Sequence, residues 1–277
     1  MLPLAIDVGT SGWKFEDWAG SFYPLRVPQN KWLEYYAARF SVGEINSTYY
    51  RIAPARTYAA IERKTPPGFR FIVKVHAEVT HQRQETTLSM RELVAALEPL
   101  RAANKLIGLL AQFPASFRHS PEAMNYVLEV QSLCGGVPLC TEFRSRTWLT
   151  DDVVSRVRDA GITWVCPDEP DLPDLMPHRL LATSKMFYAR LHGRNARCWY
   201  NSSAGERYDY NYSEDELAGF GRELVELESP AQRGVVLFNN CYAGQAPRNA
   251  WWLKSWLEAA TSGRQQLSAN GLDLSAD

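Results

Sequence analysis

Polar side chains recur at the ends of short apolar runs, and their types are those that transfer protons and bind anions. Four runs end in two polar residues separated by one position: Glu44 and Asn46, Lys74 and His76, Glu142 and Arg144, and Arg190 and His192. A fifth run carries Gln112, and another is followed by Asn239 and Asn240. If one fold brings these positions together, they form a polar pocket suited to binding and transforming a ligand.

The catalytic candidates in this set are Glu44, Glu142, His192 and Lys74. We expect Glu44 and Glu142 to act as an acid–base pair, as carboxylates do in glycoside hydrolysis. We expect His192 to be a proton shuttle, because imidazole titrates near neutral pH and the following Gly193 lets the backbone approach a ligand closely.

The cations of the predicted pocket outnumber its carboxylates. Lys74, Arg144 and Arg190 stand beside only Glu44 and Glu142, and buried positive charge is unfavourable unless it is paired. A small anionic ligand held in a clamp of these three cations resolves the imbalance. The alternative is a structural salt-bridge network of Glu44, Glu142, Lys74 and Arg190 that holds the pocket together.

The same side chains also allow a metal site, since His76, His192, Glu44 and Glu142 are all competent ligands. The spacing has neither the HxH nor the HExxH form, and the neighbouring lysine and arginines repel a cation. We therefore expect neither a metal nor another cofactor.

Loops rich in glycine and aromatic residues complete the candidate site. The run GTSGW at 9–13 offers backbone N–H groups to an anion, although it matches neither GxGxxG nor the Walker pattern. Aromatic side chains stack on sugars and bases, or simply anchor loops. The predicted substrate-binding residues are Gly9, Thr10, Ser11, Trp13, Asn46, Ser47, Tyr49, Tyr50, Gln112, Arg144, Arg190, Tyr208, Tyr210, Asn239 and Asn240.

The long connection 190–212 supports a different function. Its Arg194, Arg197 and Arg207 alternate with tryptophan and tyrosine, a composition typical of surfaces that bind single-stranded nucleic acid. A nucleic-acid binding module is therefore an alternative to an enzyme.

The elements that must position these residues alternate between β-rich runs and segments of helical periodicity, which predicts a parallel sheet with crossover helices. The eight runs at 4–8, 42–45, 69–75, 107–113, 137–143, 163–166, 185–191 and 234–238 predict a (β/α)8 TIM-like barrel. Because alternate strand residues share a face, the polar pairs converge at the carboxyl ends of the strands.

Capping signals mark the starts of the helices. Asn30, Ser120 before Pro121, Thr150, and Ser213 with Glu216 are the predicted N-terminal caps. Gly135 and Gly161 stand where left-handed C-caps are expected.

Two connections depart from the strand–helix rhythm. The proline-rich stretch 167–177 predicts an irregular crossover after strand 6, and a long loop follows strand 7. Residues 1–262 are predicted to form a single barrel domain, with a frayed tail at 263–277.

Composition narrows the class of protein. The 277 residues have a formal net charge of −1, so attraction to nucleic acid requires a local patch. No apolar run is long enough to span a membrane, and we expect a cytoplasmic protein without a membrane partner. The five cysteines lack CxxC spacing, which favours reduced and mostly buried thiols.

In its ordered motifs the chain resembles the DUF72 (YecE-like) family over nearly its whole length. The motifs are GTSGW at 9–13, EINSTYY at 44–50, FIVK at 71–74, LLAQFP at 109–114 with Phe117, EFR at 142–144, YARLHGR at 188–194, YDY at 208–210 and FNN at 238–240. The resemblance implies an α/β barrel. It implies little about activity, because the family is named for an unknown function.

The resemblance also bears on two details. The family pattern usually has a proline soon after the lysine of strand 3, where this chain has Val75 and His76. Barrels of the family are similar in outline to endonuclease IV-like phosphodiesterases, whose metal-binding set this chain lacks.

We expect a metal-independent hydrolase or lyase acting on a small anionic or sugar-containing substrate, with a non-catalytic metabolite-binding protein as a further alternative.

Overall fold

Eight parallel strands form the centre of the molecule in the computed structural model, which describes residues 4–200, 204–227 and 229–270. The strands pair in sequence order, and the first pairs with the last, so they close into a barrel. They are β1 (Ile6–Thr10), β2 (Val42–Ile45), β3 (Arg70–Lys74), β4 (Leu106–Phe113), β5 (Leu139–Phe143), β6 (Thr163–Asp168), β7 (Met186–Leu191) and β8 (Arg233–Phe238). The predicted α/β barrel is confirmed, with strand bounds within two residues of those expected.

Helices occupy the outside of the barrel. They are α1 (Trp32–Ala37), α2 (Ala55–Arg63), α3 (Thr86–Ala96), α4 (Glu98–Ala102), α5 (Pro121–Ser132), α6 (Asp151–Asp159), α7 (Ala204–Arg207), α8 (Glu214–Glu226) and α9 (Gln245–Asn270). The connection from β6 to β7 contains no helix, as its prolines predicted. A long connection follows β7, and only short helical turns interrupt its described part before α8.

Side-chain caps begin three of the helices where the sequence predicted them. Ser120 accepts a hydrogen bond from the N–H of Ala123, Thr150 caps α6, and Ser213 forms a capping box with Glu216. The prediction for Asn30 was wrong. It lies inside a short 3-10 turn before α1, where its carbonyl accepts from Lys64 Nζ at 2.7 Å.

The barrel interior has an apolar lower layer and a polar upper layer, and strand periodicity links the two. The lower layer includes Val42, Ile72, Leu110, Cys140, Tyr188 and Leu237. Two positions later, on the same face of each strand, stand Glu44, Lys74, Gln112, Glu142, Arg190 and Asn239. Apolar side chains on the outer face pack against the helices in the larger core. The strands therefore present their polar ends to one another at the barrel mouth.

The last helix continues beyond the expected end of the domain. Residues 263–270, placed in the expected tail, continue α9, and 271–277 lie outside the described residues. Within the described chain no helix has the length and apolar character needed to cross a membrane. Four of the five cysteines are buried, as expected for thiols of the core.

Candidate active site at the barrel mouth

Arg190 lies at the centre of the polar layer. Its Nη2 donates to Glu44 Oε1 at 2.7 Å, and its Nη1 donates to Glu142 Oε2 at 2.6 Å. The second oxygen of Glu44 accepts from the Tyr188 hydroxyl at 2.5 Å. Burial opposes the charge on Arg190, but the two carboxylates outweigh it and raise the pKa of the guanidinium. Arg190 therefore stays charged and joins β2, β5 and β7.

Arg144 extends this network to a third carboxylate. Its Nε donates to Glu142 Oε1 and its Nη1 donates to Glu169 Oε2. Burial alone would raise the pKa of Glu142, but Arg144 and Arg190 outweigh it and hold the pKa well below its usual range. Burial raises the pKa of Glu169 to about 7, against the opposing effect of Arg144. The excess of cations over carboxylates is smaller than the sequence predicted, because Glu169 adds a third carboxyl group to the polar layer.

His192 is enclosed by this network. Its Nδ1 lies 3.0 Å from Asn239 Nδ2, and its Nε2 lies 3.0 Å from Arg144 Nη2 and 3.3 Å from Glu142 Oε1. Burial, together with the neighbouring Arg144, lowers the pKa of the imidazole to about 3. The ring is therefore neutral at physiological pH, which favours a positioning role over the expected proton shuttle.

Lys74 differs from the other cations of the layer. Its Nζ donates to Gln112 Oε1 at 3.0 Å and lies 4.5 Å from the ring centroid of Tyr49. Among the described residues no carboxylate forms an ion pair with it. Burial, reinforced by repulsion from Arg190, lowers the pKa of Lys74 to about 8. Lys74 is thus a cation of the layer that titrates close to neutral pH.

A cavity of about 1240 Å³ opens above the polar layer. Its lining contains thirteen of the nineteen predicted site residues: Ser11, Trp13, Glu44, Asn46, Ser47, Tyr49, Tyr50, Lys74, Gln112, Arg144, Arg190, Tyr208 and Asn239. The cavity thus combines charged and amide groups with aromatic rings. Such a lining suits a ligand that carries both charge and a stacking surface.

Gly9 and Thr10 do not line the cavity, because they pack against β2 and α1. The Thr10 hydroxyl bonds to the Tyr36 hydroxyl at 2.9 Å, and the Thr10 N–H donates to the same oxygen. A Cβ at position 9 would stand 2.2 Å from the Val42 carbonyl oxygen, so glycine is required there for close strand packing.

Tyr210 and Asn240 do not line the cavity, and neither do Glu142 and His192, which lie directly behind the lining residue Arg144. The Tyr210 hydroxyl donates to Glu216 Oε1 at 2.6 Å. Asn240 Nδ2 donates to the Tyr210 carbonyl and to Asn249 Oδ1, both at 2.8 Å. These contacts fix the end of the 190–212 connection against α8 and α9.

The described part of the 190–212 connection is largely anchored to the fold. Trp199 is 3% exposed, and the guanidinium carbons of Arg144 and Arg207 lie 5.8 and 5.5 Å from its ring centroid. Arg194 Nη2 donates to buried Asp168 Oδ1 at 2.7 Å. Residues 201–203 lie outside the described part. Trp199 therefore serves packing rather than base stacking, whereas Tyr200 is 57% exposed.

Sequence reasoning missed Glu169 and Tyr188, although the periodicity of the strands contained a signal for both. Tyr188 precedes Arg190 by two positions on the inward face of β7. Strand β6 runs through Pro167 to Asp168, so the inward series Val165, Pro167 leads to Glu169. The prolines that follow residue 166 led to a predicted strand that ended there, so Glu169 was not recognised as the next inward residue.

The metal alternative finds little support in the arrangement of its ligands. Arg190 is bonded to both Glu44 and Glu142. His76 Nδ1 accepts from the N–H of Glu78 at 3.3 Å and does not line the cavity. Within the described ranges no group of three or more His, Cys, Asp and Glu side chains is arranged to hold a metal ion.

Comparisons with known proteins agree with this architecture. A family model described as "Protein of unknown function DUF72" matches residues 7–271. The UPF0759 protein YunF of Bacillus subtilis (strain 168) is 32% identical and is aligned over 97% of this chain and 99% of its own. A crystal structure of a DUF72 family protein from Thermotoga maritima has a TM-score of 0.84 and 40% identity, covering 92% of this chain and 99% of that one. One from Enterococcus faecalis shares the fold at a TM-score of 0.81 with 23% identity, over 91% and 95% of the two chains. The chain therefore belongs to the DUF72 family of proteins of unknown function.

Proposed function

We propose that the cavity at the barrel mouth is the active site of a metal-independent enzyme, of the hydrolase or lyase type, that acts on a small anionic or sugar-containing substrate. The observation that carries the proposal is the state of Lys74. The side chain is half-buried, and its ammonium faces the cavity and bonds to an amide oxygen instead of a carboxylate. A substrate anion would supply the missing counter-charge.

The surroundings of Lys74 fit this role. Arg144 and Arg190 also line the cavity, but both are paired with carboxylates, so Lys74 is the cation of the layer best placed to meet a substrate anion. The amides of Asn46, Gln112 and Asn239 offer donors and acceptors for hydroxyl groups. The same positive charge disfavours a bound metal cation, which is why we propose metal-independent chemistry.

Acid–base roles are distributed differently from the first expectation. Both oxygens of Glu44 and of Glu142 are already bonded, so we assign these carboxylates to holding Arg190 and Arg144 in place. Lys74 faces the cavity with a pKa of about 8, and we propose it as the group that exchanges protons with the substrate.

A ligand screen by thermal shift tests the proposal, because a ligand that binds only the folded state raises the melting temperature. The panel contains phosphate, sulfate, small carboxylates, sugar phosphates and short oligonucleotides. A probe present at one hundred times its Kd raises the free energy of unfolding by about 2.7 kcal/mol. Binding should be lost in Lys74→Met and kept in Lys14→Met, a matched loss of charge at an exposed residue of the cavity lining.

The outcomes separate the alternatives. Equal shifts for the wild type and Lys74→Met would contradict the proposed site, as would a panel in which no small anion binds. Stabilisation by oligonucleotides only, with an affinity that falls steeply as salt rises, would instead support a nucleic-acid binding module. Binding of a small anion that is never turned over would support a metabolite-binding protein.

A further inference from the structure

A buried lysine, Lys105, and a half-buried one, Lys74, allow a direct comparison of how an ammonium is held in this chain. Lys105 Nζ bonds to four oxygens: Glu62 Oε1 at 2.8 Å, the Glu62 carbonyl at 2.7 Å, the Thr65 carbonyl at 2.8 Å and Thr65 Oγ1 at 3.1 Å. Within the described ranges Lys74 Nζ has one such partner, Gln112 Oε1. An ammonium has three N–H donors, so the site around Lys74 satisfies the charged form poorly.

The charges around Lys74 largely offset one another, so they do not compensate for its burial. Arg190 and Arg144 repel an ammonium, and Glu44 and Glu142, which attract one, are themselves bonded to those arginines. A lysine that is desolvated beside other cations acquires a free lone pair and becomes a nucleophile. The pKa of about 8 agrees with this geometry.

We propose that Lys74 is a covalent nucleophile that forms an imine with a small carbonyl compound bearing a carboxylate or phosphate group. This inference rests on the proposed function and names its substrate class. The Nζ lone pair adds to the carbonyl carbon to give a carbinolamine. The oxygen then leaves as water with both amine hydrogens, and uptake of one proton from solvent gives the iminium. No oxidant or reductant is required.

The cavity suits both ends of such a substrate. The guanidinium groups of Arg144 and Arg190 line the cavity and offer N–H donors to the anionic group, and the iminium keeps a positive charge in the place where the ring of Tyr49 faces Lys74. An iminium withdraws electrons from the adjacent carbon–carbon bond, which is the chemistry of a lyase. Asn46 Nδ2 already donates to the Ser11 carbonyl and Asn239 Nδ2 contacts His192 Nδ1, but each amide nitrogen has a second N–H that could orient the carbonyl oxygen.

Reductive trapping tests the proposal in the intact chain. The protein is incubated at pH 7 with glyoxylate or pyruvate and borohydride, and the modified lysines are located by peptide mass mapping. At pH 7 an amine of pKa about 8 is neutral ~300 times more often than one of ordinary lysine pKa. We expect Lys74 to be labelled at least tenfold faster than exposed Lys14, with a rate that rises with pH and levels off above about pH 8.

Two variants sharpen the result. Gln112→Glu gives Lys74 a carboxylate partner, which should raise its pKa and slow labelling at pH 7 by at least tenfold while labelling of Lys14 is unchanged. Lys74→Arg keeps the charge and should abolish labelling at this position. Equal labelling of Lys74 and Lys14 would overturn the proposal. If a small anion still stabilised the wild type and not Lys74→Met, the proposed function would stand without the imine. If no anion bound either, both would fall.

Discussion

Replacement of Lys74 by methionine should stabilise the folded protein, although it removes a residue of the proposed active site. Methionine keeps the length of the side chain and removes the charge. The pKa of Lys74 is lowered from 10.5 to about 8, and each pKa unit corresponds to about 1.4 kcal/mol. The charged lysine thus destabilises the fold by about 3 kcal/mol below pH 8. Contact with water in the cavity reduces the expected gain to about 2 kcal/mol.

The size of this stabilisation depends on pH. Between pH 8 and 10.5 the folded state has released the proton that the unfolded state still holds, so wild-type stability rises across this window. The gain from Lys74→Met should therefore be full at pH 7 and should shrink towards zero as the pH approaches 10.5. Urea unfolding curves measured at pH 7, 8, 9 and 10 give this dependence directly.

Lys105→Met is the matched control, because Lys105 is a buried lysine whose ammonium is paired, whereas that of half-buried Lys74 is not. The Lys105 side chain is 3% exposed and pairs with Glu62, so its removal takes away the ammonium that four oxygens share, among them the Glu62 carboxylate. We expect Lys105→Met to lose about 3 kcal/mol. A comparable loss in Lys74→Met would refute the reasoning, since it would mean that the ammonium of Lys74 is well satisfied in the fold.

Three further substitutions test the network and the helix caps. Arg190→Met leaves Glu44 and Glu142 buried without their shared cation, and we expect about 3–5 kcal/mol of destabilisation in urea unfolding; a loss below about 1 kcal/mol would show that the network does not hold the barrel mouth together. Glu169→Gln should leave the free energy of unfolding unchanged at pH 4.5 and raise it by up to about 3 kcal/mol at pH 8, because wild-type stability falls as the pH rises from 4.5 through the folded-state pKa of about 7. A larger gain at acid pH than at pH 8 would contradict the raised pKa of Glu169. Ser120→Ala should cost about 1 kcal/mol through loss of the α5 cap, measured as a lower melting temperature, and an unchanged melting temperature would indicate that the cap is dispensable.

Most of the barrel architecture could be predicted from short-range sequence patterns. The strands at Val42–Ile45 and Arg70–Lys74 were recognisable because apolar alternation is a property of a few consecutive residues. The Ser213 capping box was recognisable for the same reason. The failures occurred where local chemistry has competing solutions. Asn30 has the side chain of a helix cap, yet the chain there forms a 3-10 turn whose carbonyl binds Lys64.

The state of each polar residue was not predictable in the same way. Glu142 and His192 occupy the inward positions that periodicity assigned to them, but Arg190 and Arg144 engage both oxygens of Glu142, and His192 is enclosed beside Arg144. Glu169 directly follows β6, but the prolines ended the predicted strand at residue 166, so the charge of Glu169 was absent from the predicted balance. The pKa values of these groups depend on burial and on neighbours that only the folded chain brings near.

The sequence by itself determined that this chain is an α/β barrel with polar side chains around the carboxyl ends of its strands, because residues two apart on a strand share a face. The tertiary structure decided which of those side chains are partners. Arg190 lies 48 positions from Glu142 and 146 positions from Glu44, yet it contacts both. Electrostatic interactions depend on distance in space and on exclusion of water, and neither can be read from separation along the chain. Only the fold distinguishes Lys105, held by four oxygens, from Lys74, which faces the cavity with one.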